Sequence, residues 1–565
     1  MMRATLLAFA LLLSAPAALA DGLLLSTDPD YPGSLLRNRV TRVDVRIDGL
    51  IAQTTAYFEF VNEWDRETDA VFSFPLPDDA RAVRMLYHYN GVVYEAVLEV
   101  REQATNPGTG EGGIAAEINE YLGRNGIRMH LASIPAGEIQ AVEITYVETL
   151  DADTQTVEYT YPLDTGTFVR HDLDLIEFNV EIESNLEIQS AAILSHAGAR
   201  TVESGANRVV LKYQESKGYL AQDFEMSYSV VPDGVTLDFY SYLPTGGDHG
   251  YLTTIARPDS LADGALPRQV VFVVNNSSRL SAGLGPSVAA VKHALAALKS
   301  EDRFNILAYN STVQTFRSGL VAPSAGEIAA AEAFLDGLTT RNANELETAL
   351  MRALAEFGSI PEGTSAAILV FTDGRASLDP QEVAVANTQG VGIYPVGTGD
   401  VDRARLEMLA DLNRGFVTYL GDGENVADGL RRVTDQIGVA VVQDPVFEFT
   451  GTEVTHILPA QISTLFATRP VAVSARYATS ASGTVTLSGT GASGPVAYAT
   501  DIDYAQGPEK WFARVLWARA AIDQLEREIA VYGATEALKD SVIALSLQYN
   551  IRSKYTAYVA DYVNV

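Results

Sequence analysis

From residue 268 to 437 the chain alternates strand-like and helix-like patterns, and that alternation restricts what its middle can become. Residues 270–274 read Val-Val-Phe-Val-Val, a strand apolar on both faces. A polar loop follows, and a helical pattern runs from about Pro286 to 299. Further short apolar runs stand at 305–309, 366–371 and 391–396, with helical patterns at 325–338, 344–357, 402–412 and 424–437. This order predicts a mostly parallel sheet with helices on both faces. Ligand sites in such sheets lie beyond the carboxyl ends of the strands. The loop after Val274 is therefore the place to look for function.

The rest of the chain alternates differently. Val43, Val45 and Ile47 are interleaved with Asp44, Arg46 and Asp48, a period of two that marks half-buried strands. Asn90-Gly91 between apolar runs is a hairpin signal. A polar helical or irregular segment is expected at about 99–126. Residues 151–262 and 441–505 are also strand-like and flank the α/β unit. They are expected to pack together as a β-sandwich into which the α/β unit is inserted. Trp511, Val515, Ala518, Ile522, Leu525 and Ile529 form one helical stripe, continued after Gly533 by Leu538, Val542, Leu545 and Tyr549. A last strand is expected near 553–559.

Composition limits the function. A chain of 565 residues is too long for one core. Met1-Met2-Arg3, the apolar run from Leu6 to Leu13 and Ala18-Leu19-Ala20 have the form of a cleaved signal peptide, so an exported protein is expected in the periplasm, the cell envelope or the medium. No later stretch has the ~18 apolar residues of a membrane-spanning helix. The net charge of −32 argues against nucleic acid as a partner. With no Cys, thiol chemistry and Cys-based zinc sites are excluded, and the seven His include no pair at a metal-ligand spacing.

Several motifs resemble known families. Phe60-Val61-Asn62, Phe74-Pro75-Leu76-Pro77 and the stretch from Ile134 to Tyr146, I-P-A-G-E-x-x-x-V-E-I-T-Y, resemble the VIT domain of inter-α-trypsin inhibitor heavy chains. A Gly-rich stretch, 106–113, stands where that family usually has a charged helix. Asn275-Asn276-Ser277-Ser278-Arg279, Phe371-Thr372-Asp373-Gly374 and Val396-Gly397-Thr398-Gly399 resemble the von Willebrand factor A domain. The C-terminal W-A-R … Y-G … S-x-Y-T pattern is similar to that of bacterial proteins joining the two domains. After the signal peptide at 1–20, the resemblance implies a VIT domain at 21–150 and a hybrid-like β-sandwich at 151–267 and 441–505. It also implies an inserted doubly wound A domain at 268–440 and a helical hairpin with a strand at 506–565.

The resemblance further implies an adhesion site in which D-x-S-x-S, a Thr and the Asp of T-D-G hold Mg²⁺. Here the first Asp is Asn275, the second Ser is Arg279 and the Thr falls on Asn344, while Ser277 and Asp373 are kept. A Mg²⁺ takes about six hard oxygen ligands, and Arg279 brings a positive charge instead. Arg279 is expected to occupy the cation's place and pair with Asp373. Asn275, Ser277, Arg279, Asn344 and Asp373 thus form a degenerate adhesion site for a protein partner, with no cofactor expected. If a metal binds at all, Asn275, Ser277 and Asp373 are its ligands. Arg279 is also suited to gripping a partner carboxylate through its bidentate fork. The reading is of a non-enzymatic binding or scaffold protein. A divalent-cation-dependent adhesin and a hydrolase stand as alternatives. Ser277-Ser278 lacks the G-x-S-x-G setting and His293 sits in a helical pattern, so no catalytic residue is assigned. Asp444-Pro445 is expected at a strand edge.

Overall fold

The structure, a computed structural model, describes residues 21–560 except 29, 31–33, 78–79, 90, 101–121, 123–124, 151, 154, 166–168, 170, 232–233, 259–264, 421–438, 468 and 480. The expected signal peptide, the Gly-rich stretch 106–113 and the helix at 424–437 lie outside the described residues.

The N-terminal third is a β unit. Along Arg37–Asp48 the apolar Val43, Val45 and Ile47 are buried and the intervening Asp44 and Arg46 exposed, as the period of two requires. This strand pairs with Ile51–Val61, which pairs with Ile139–Thr149. The VIT-like motif residues close the far end. Asn62 donates from its side-chain amide to the Arg66 and Ile134 carbonyls, both at 2.9 Å. Its backbone exchanges hydrogen bonds with Gly137 and Glu138. Gly137 has a φ of +76°, which suits glycine.

One expectation is corrected here. Residues 151–267 do not pair as a block with 441–505. Leu175–Glu183 runs parallel to Arg37–Asp48 and extends the N-terminal sheet to eight strands, with Arg208–Glu215 and Arg200–Ser204 beyond it. Among the described residues of this stretch, only Thr236–Tyr242 and Gly250–Arg257 cross to the later β segment, where Gly250–Arg257 pairs with Val471–Tyr477. The sandwich is completed by the sheet of Leu465–Phe466, Ala440–Phe449, Ser482–Gly491 and Gly494–Asp503. The physical reason is that alternation marks a strand and its buried face but carries nothing about its partner. Asp444-Pro445 lies inside Ala440–Phe449 rather than at its edge, where the register shifts between Gln443 and Val446 and Asp444 takes a φ of +48°. A bulge tolerates a Pro that a regular ladder would not.

The α/β unit is inserted between these strands, and Leu266 donates its N–H to Ala440 where the chain enters and leaves it, at 3.1 Å. Its sheet runs Val313–Thr315, Arg303–Tyr309, Arg268–Asn275, Ser365–Thr372, Gly392–Gly397, Thr418–Tyr419, all parallel but the first. Both faces are covered. Val270, Phe272 and Val274 pack with Val291, Leu295 and Leu335, while Val271 and Val273 pack with Leu346, Leu350 and Leu409. The helix after the first strand begins at Ser281, ahead of the expected Pro286, after a 3₁₀ turn over Ser278–Leu280. Pro286 therefore sits inside it. A helix over Pro380–Ala386, capped by Asp379, was not anticipated.

The C-terminal helices Phe512–Tyr532 and Glu536–Tyr549 bury the expected stripe against the N-terminal core. The strand Thr556–Val559 pairs antiparallel with Val97–Val100.

Candidate functional site

The sheet of the α/β unit changes direction at Arg268–Asn275. The chain steps to Arg303–Tyr309 on one side and to Ser365–Thr372 on the other. A crevice at the carboxyl ends of these strands is where such folds bind ligands. Asn275 ends the first strand, and its Oδ1 accepts from the Ser277 N–H at 2.8 Å. That Asx turn directs the chain into the loop 276–280.

The loop is tied to its neighbours by backbone and amide bonds. Asn276 donates its N–H to the Tyr309 carbonyl at 3.0 Å, and its Oδ1 accepts from Asn310 Nδ2 at 3.1 Å. Ser278 donates its N–H to the Arg341 carbonyl at 2.7 Å, and Arg341 donates its own to Asn276 at 3.0 Å. These bonds fasten the segment ahead of Asn344 alongside Ser277. Ser277 is 1% exposed, and its Oγ has no partner among the described residues. The side-chain amide of Asn344 is in the same condition at both of its polar atoms.

Asp373 follows the second strand end. Its side chain is 5% exposed and that of Arg279 is 57% exposed, and Arg279 Nε lies 3.0 Å from Asp373 Oδ2. The other carboxylate oxygen accepts from the Arg375 N–H at 3.1 Å. The turn at Gly374 has a φ of +69°, and a Cβ there would come within 2.8 Å of Leu406. Below the carboxylate, Tyr309 donates from its hydroxyl to Thr372 Oγ1 at 3.0 Å. Burial holds the Tyr309 phenol far above its ordinary range, so it stays a neutral donor.

All five sequence-predicted residues thus stand at one edge of the sheet. Two neighbours were not anticipated. Thr398 begins the loop after the next strand, with a buried Oγ1 that has no partner among the described residues. Arg341 is exposed. Arg375 directly follows the Thr372-Asp373-Gly374 run, and its guanidinium pairs with Asp400.

The donor set does not fit Mg²⁺. A hard cation of this kind needs about six oxygens. The five predicted residues offer one carboxylate, already engaged by a guanidinium, with neutral amides and a hydroxyl beside it. Among the described residues, no group of three or more His, Cys, Asp and Glu stands together as metal ligands.

Comparison with known proteins agrees with the two motif sets. Residues 39–146 match the vault protein inter-alpha-trypsin domain, and residues 269–432 match the von Willebrand factor type A domain. The chain is 22% identical to human inter-alpha-trypsin inhibitor heavy chain H4 over 559 residues, covering 92% of this chain and 60% of that protein. Heavy chain H2 of Mesocricetus auratus is 21% identical over 92% of this chain and 59% of its own length. The chain therefore spans about 60% of the length of these two relatives. Among solved structures, a von Willebrand factor type A protein from Catenulispora acidiphila has 15% identity and a TM-score of 0.41, over 56% of this chain and 87% of its own.

Proposed function

We propose that this chain, in which a VIT domain is followed by a von Willebrand factor type A domain, is an exported, non-enzymatic binding or scaffold protein. It engages a protein partner at the carboxyl edge of the A domain without a metal ion. The observation that carries this reading is the approach of Arg279 Nε to Asp373 Oδ2 at 3.0 Å. A divalent cation and a guanidinium both close to one carboxylate would repel each other strongly. The similarity to heavy chains along 92% of the chain supports an interaction role. The N-terminal signal-like sequence supports export. No helix among the described residues is long and apolar enough to cross a membrane.

Titration calorimetry of Mg²⁺ and Mn²⁺ into the purified chain tests the metal-free reading. No saturable heat is expected, and tight binding of either ion would restore the cation-dependent adhesin. Cross-linking in the native extract, with and without chelator, tests the binding role. The expected products persist in chelator and are lost when Arg279 is replaced.

A further inference from the structure

The C-terminal helices meet the β-sandwich through a cluster of aromatic rings. Tyr251 on Gly250–Arg257, Trp517 on Phe512–Tyr532 and Tyr549 on Glu536–Tyr549 are all buried. Their ring centroids lie 5.6 Å (Tyr251 to Trp517), 5.8 Å (Tyr251 to Tyr549) and 5.7 Å (Trp517 to Tyr549) apart. Trp517 donates from Nε1 to the His456 carbonyl at 2.9 Å, which ties the first helix to the strand Val454–Leu458. Across the strand pair, Tyr251 stands opposite Arg476.

A run of hydrogen bonds enters the cluster from its rim. Arg476 Nη2 lies 2.7 Å from His249 Nδ1, His249 Nε2 lies 2.8 Å from the Tyr251 hydroxyl, and that hydroxyl lies 2.7 Å from the Tyr549 hydroxyl. A guanidinium has donors and no acceptor. His249 must then present a bare Nδ1 to Arg476 and donate its Nε2–H to Tyr251, which is the neutral imidazole in one tautomer. Arg476 in turn lies 5.3 Å from the centroid of the Trp517 ring.

A proton on Nδ1 would take the position of the bond from Arg476 and set two cations side by side. Among the other groups facing the ring, the exposed Asp248 favours the charged form and His456 opposes it. On the helices, Arg514 lies over the Tyr549 ring and adds a further positive charge. Burial, and after it Arg476, hold the pKa of His249 below the ordinary 6.5 of histidine. The folded arrangement therefore belongs to the neutral ring. Its contribution is whole above pH 6.5 and is lost as pH falls through the lowered pKa.

We propose that His249 is an acid-sensitive latch between the β-sandwich and the C-terminal helices. A proton taken up from solvent at Nδ1 displaces Arg476 from the imidazole and from Trp517, and the helix pair loosens from the strands it covers. The helix Phe512–Tyr532 also carries Arg527, which pairs with Asp411 of the A domain at 2.8 Å. The latch thus bears on how the A domain is held as well.

Hydrogen–deuterium exchange of the full chain, read by mass spectrometry at about pH 7.5 and about pH 5.5 with labelling times scaled to the intrinsic amide rate, tests this. Peptides from 512–549 should exchange about threefold faster or more at the lower pH. His249→Asn offers Arg476 an amide oxygen that does not titrate and should abolish the rise. Arg476→Gln removes the opposing cation and should reduce it. Groups that titrate elsewhere act equally in all three proteins, and peptides from Ser365–Thr372 in the A domain should show no such rise in any of them. An absent rise in the parent, or an equal rise in folded His249→Asn, overturns the proposal. Should His249→Asn not fold, an equal rise in Arg476→Gln overturns it. A rise shared by Ser365–Thr372 is global unfolding and overturns it too.

Discussion

Arg279 and Asp373 meet across adjacent strand ends, and their exposures are opposite: 57% for the guanidinium side chain and 5% for the carboxylate. The pair is therefore unequal in what each member loses. Without Arg279, a buried carboxylate keeps, among the described residues, the Arg375 N–H at 3.1 Å. Without Asp373, the guanidinium turns to water. Arg279→Ser should lower stability by about 1–3 kcal/mol, and Asp373→Ala by less. The double variant should lose less than the sum of the two in urea unfolding, and simple additivity would show that the pair is uncoupled.

Restoring the oxygens should restore the cation. Asn275→Asp, Arg279→Ser and Asn344→Thr together supply every ligand type of the complete motif and remove the competing charge. The triple variant should gain a Mg²⁺- or Mn²⁺-dependent rise in Tm that the parent lacks, since a ligand bound only by the native state stabilises it by mass action. A folded triple variant indifferent to both ions would mean that the loops no longer superimpose on a metal site.

Asp21 should give the fold a pH dependence. It is fully buried, accepts from Asn38, Thr41 and Tyr161, and burial lifts its pKa from 3.8 to about 7. The folded state thus holds a proton that the unfolded chain has already released. Its stabilising contribution is whole below pH 3.8 and is lost as pH rises towards 7, with no further change above. Asp21→Asn should flatten that slope in urea titrations between about pH 4 and 8, measured with residue 20 still attached so that no α-ammonium adjoins the carboxyl. An unchanged slope would mean that Asp21 titrates normally.

A second buried ion pair lies where the sandwich meets the N-terminal unit. Arg257 donates from Nε to Asp238 Oδ2 at 2.7 Å, with side chains 7% and 2% exposed. Beside them Tyr240 donates to the Asp48 carbonyl at 3.0 Å, and Lys510 pairs with Asp48. Arg257→Met leaves Asp238 buried without its counter-ion, with the Asn185 amide at 3.4 Å, and should cost about 3–5 kcal/mol. Replacing Arg257 and Asp238 together by apolar residues should recover most of it. Chemical denaturation of the three variants decides, and a cost below about 1 kcal/mol for Arg257→Met would contradict the burial of the pair.

The legibility of the chain followed the range of each interaction. Val43, Val45 and Ile47 announced a strand and its buried face, but no local signal announced that Leu175–Glu183 would run parallel beside it. The same gap set all of 151–267 against 441–505, although among the described strands Thr236–Tyr242 and Gly250–Arg257 are the ones that reach it. Pro286 is a good first-turn residue, so it drew the helix start forward, although the helix begins at Ser281 and carries the proline within. Asp379-Pro380 is a cap followed by a first-turn proline, and it was a usable signal for the missed helix. Motif spacing gathered Asn275, Ser277, Arg279, Asn344 and Asp373 at one edge. Arg341 escaped because its place depends on backbone bonds to Asn276 and Ser278, more than sixty residues away in sequence.

The pairing of Thr556–Val559 with Val97–Val100 has a consequence for how the protein is made. Tyr558 is buried in the same core as Leu23 and Phe58, and it donates to the Ala82 carbonyl at 3.1 Å. Multidomain chains ordinarily fold from the N-terminus as they emerge from the ribosome. Here the first unit to be synthesised lacks part of its own core until the chain has been extended past Val559. The inserted A domain, by contrast, has all its strands within one contiguous stretch and is free to fold first. Chains stalled before residue 550 should therefore present a finished A domain between unfinished flanks, and limited proteolysis of such nascent chains would reveal that order.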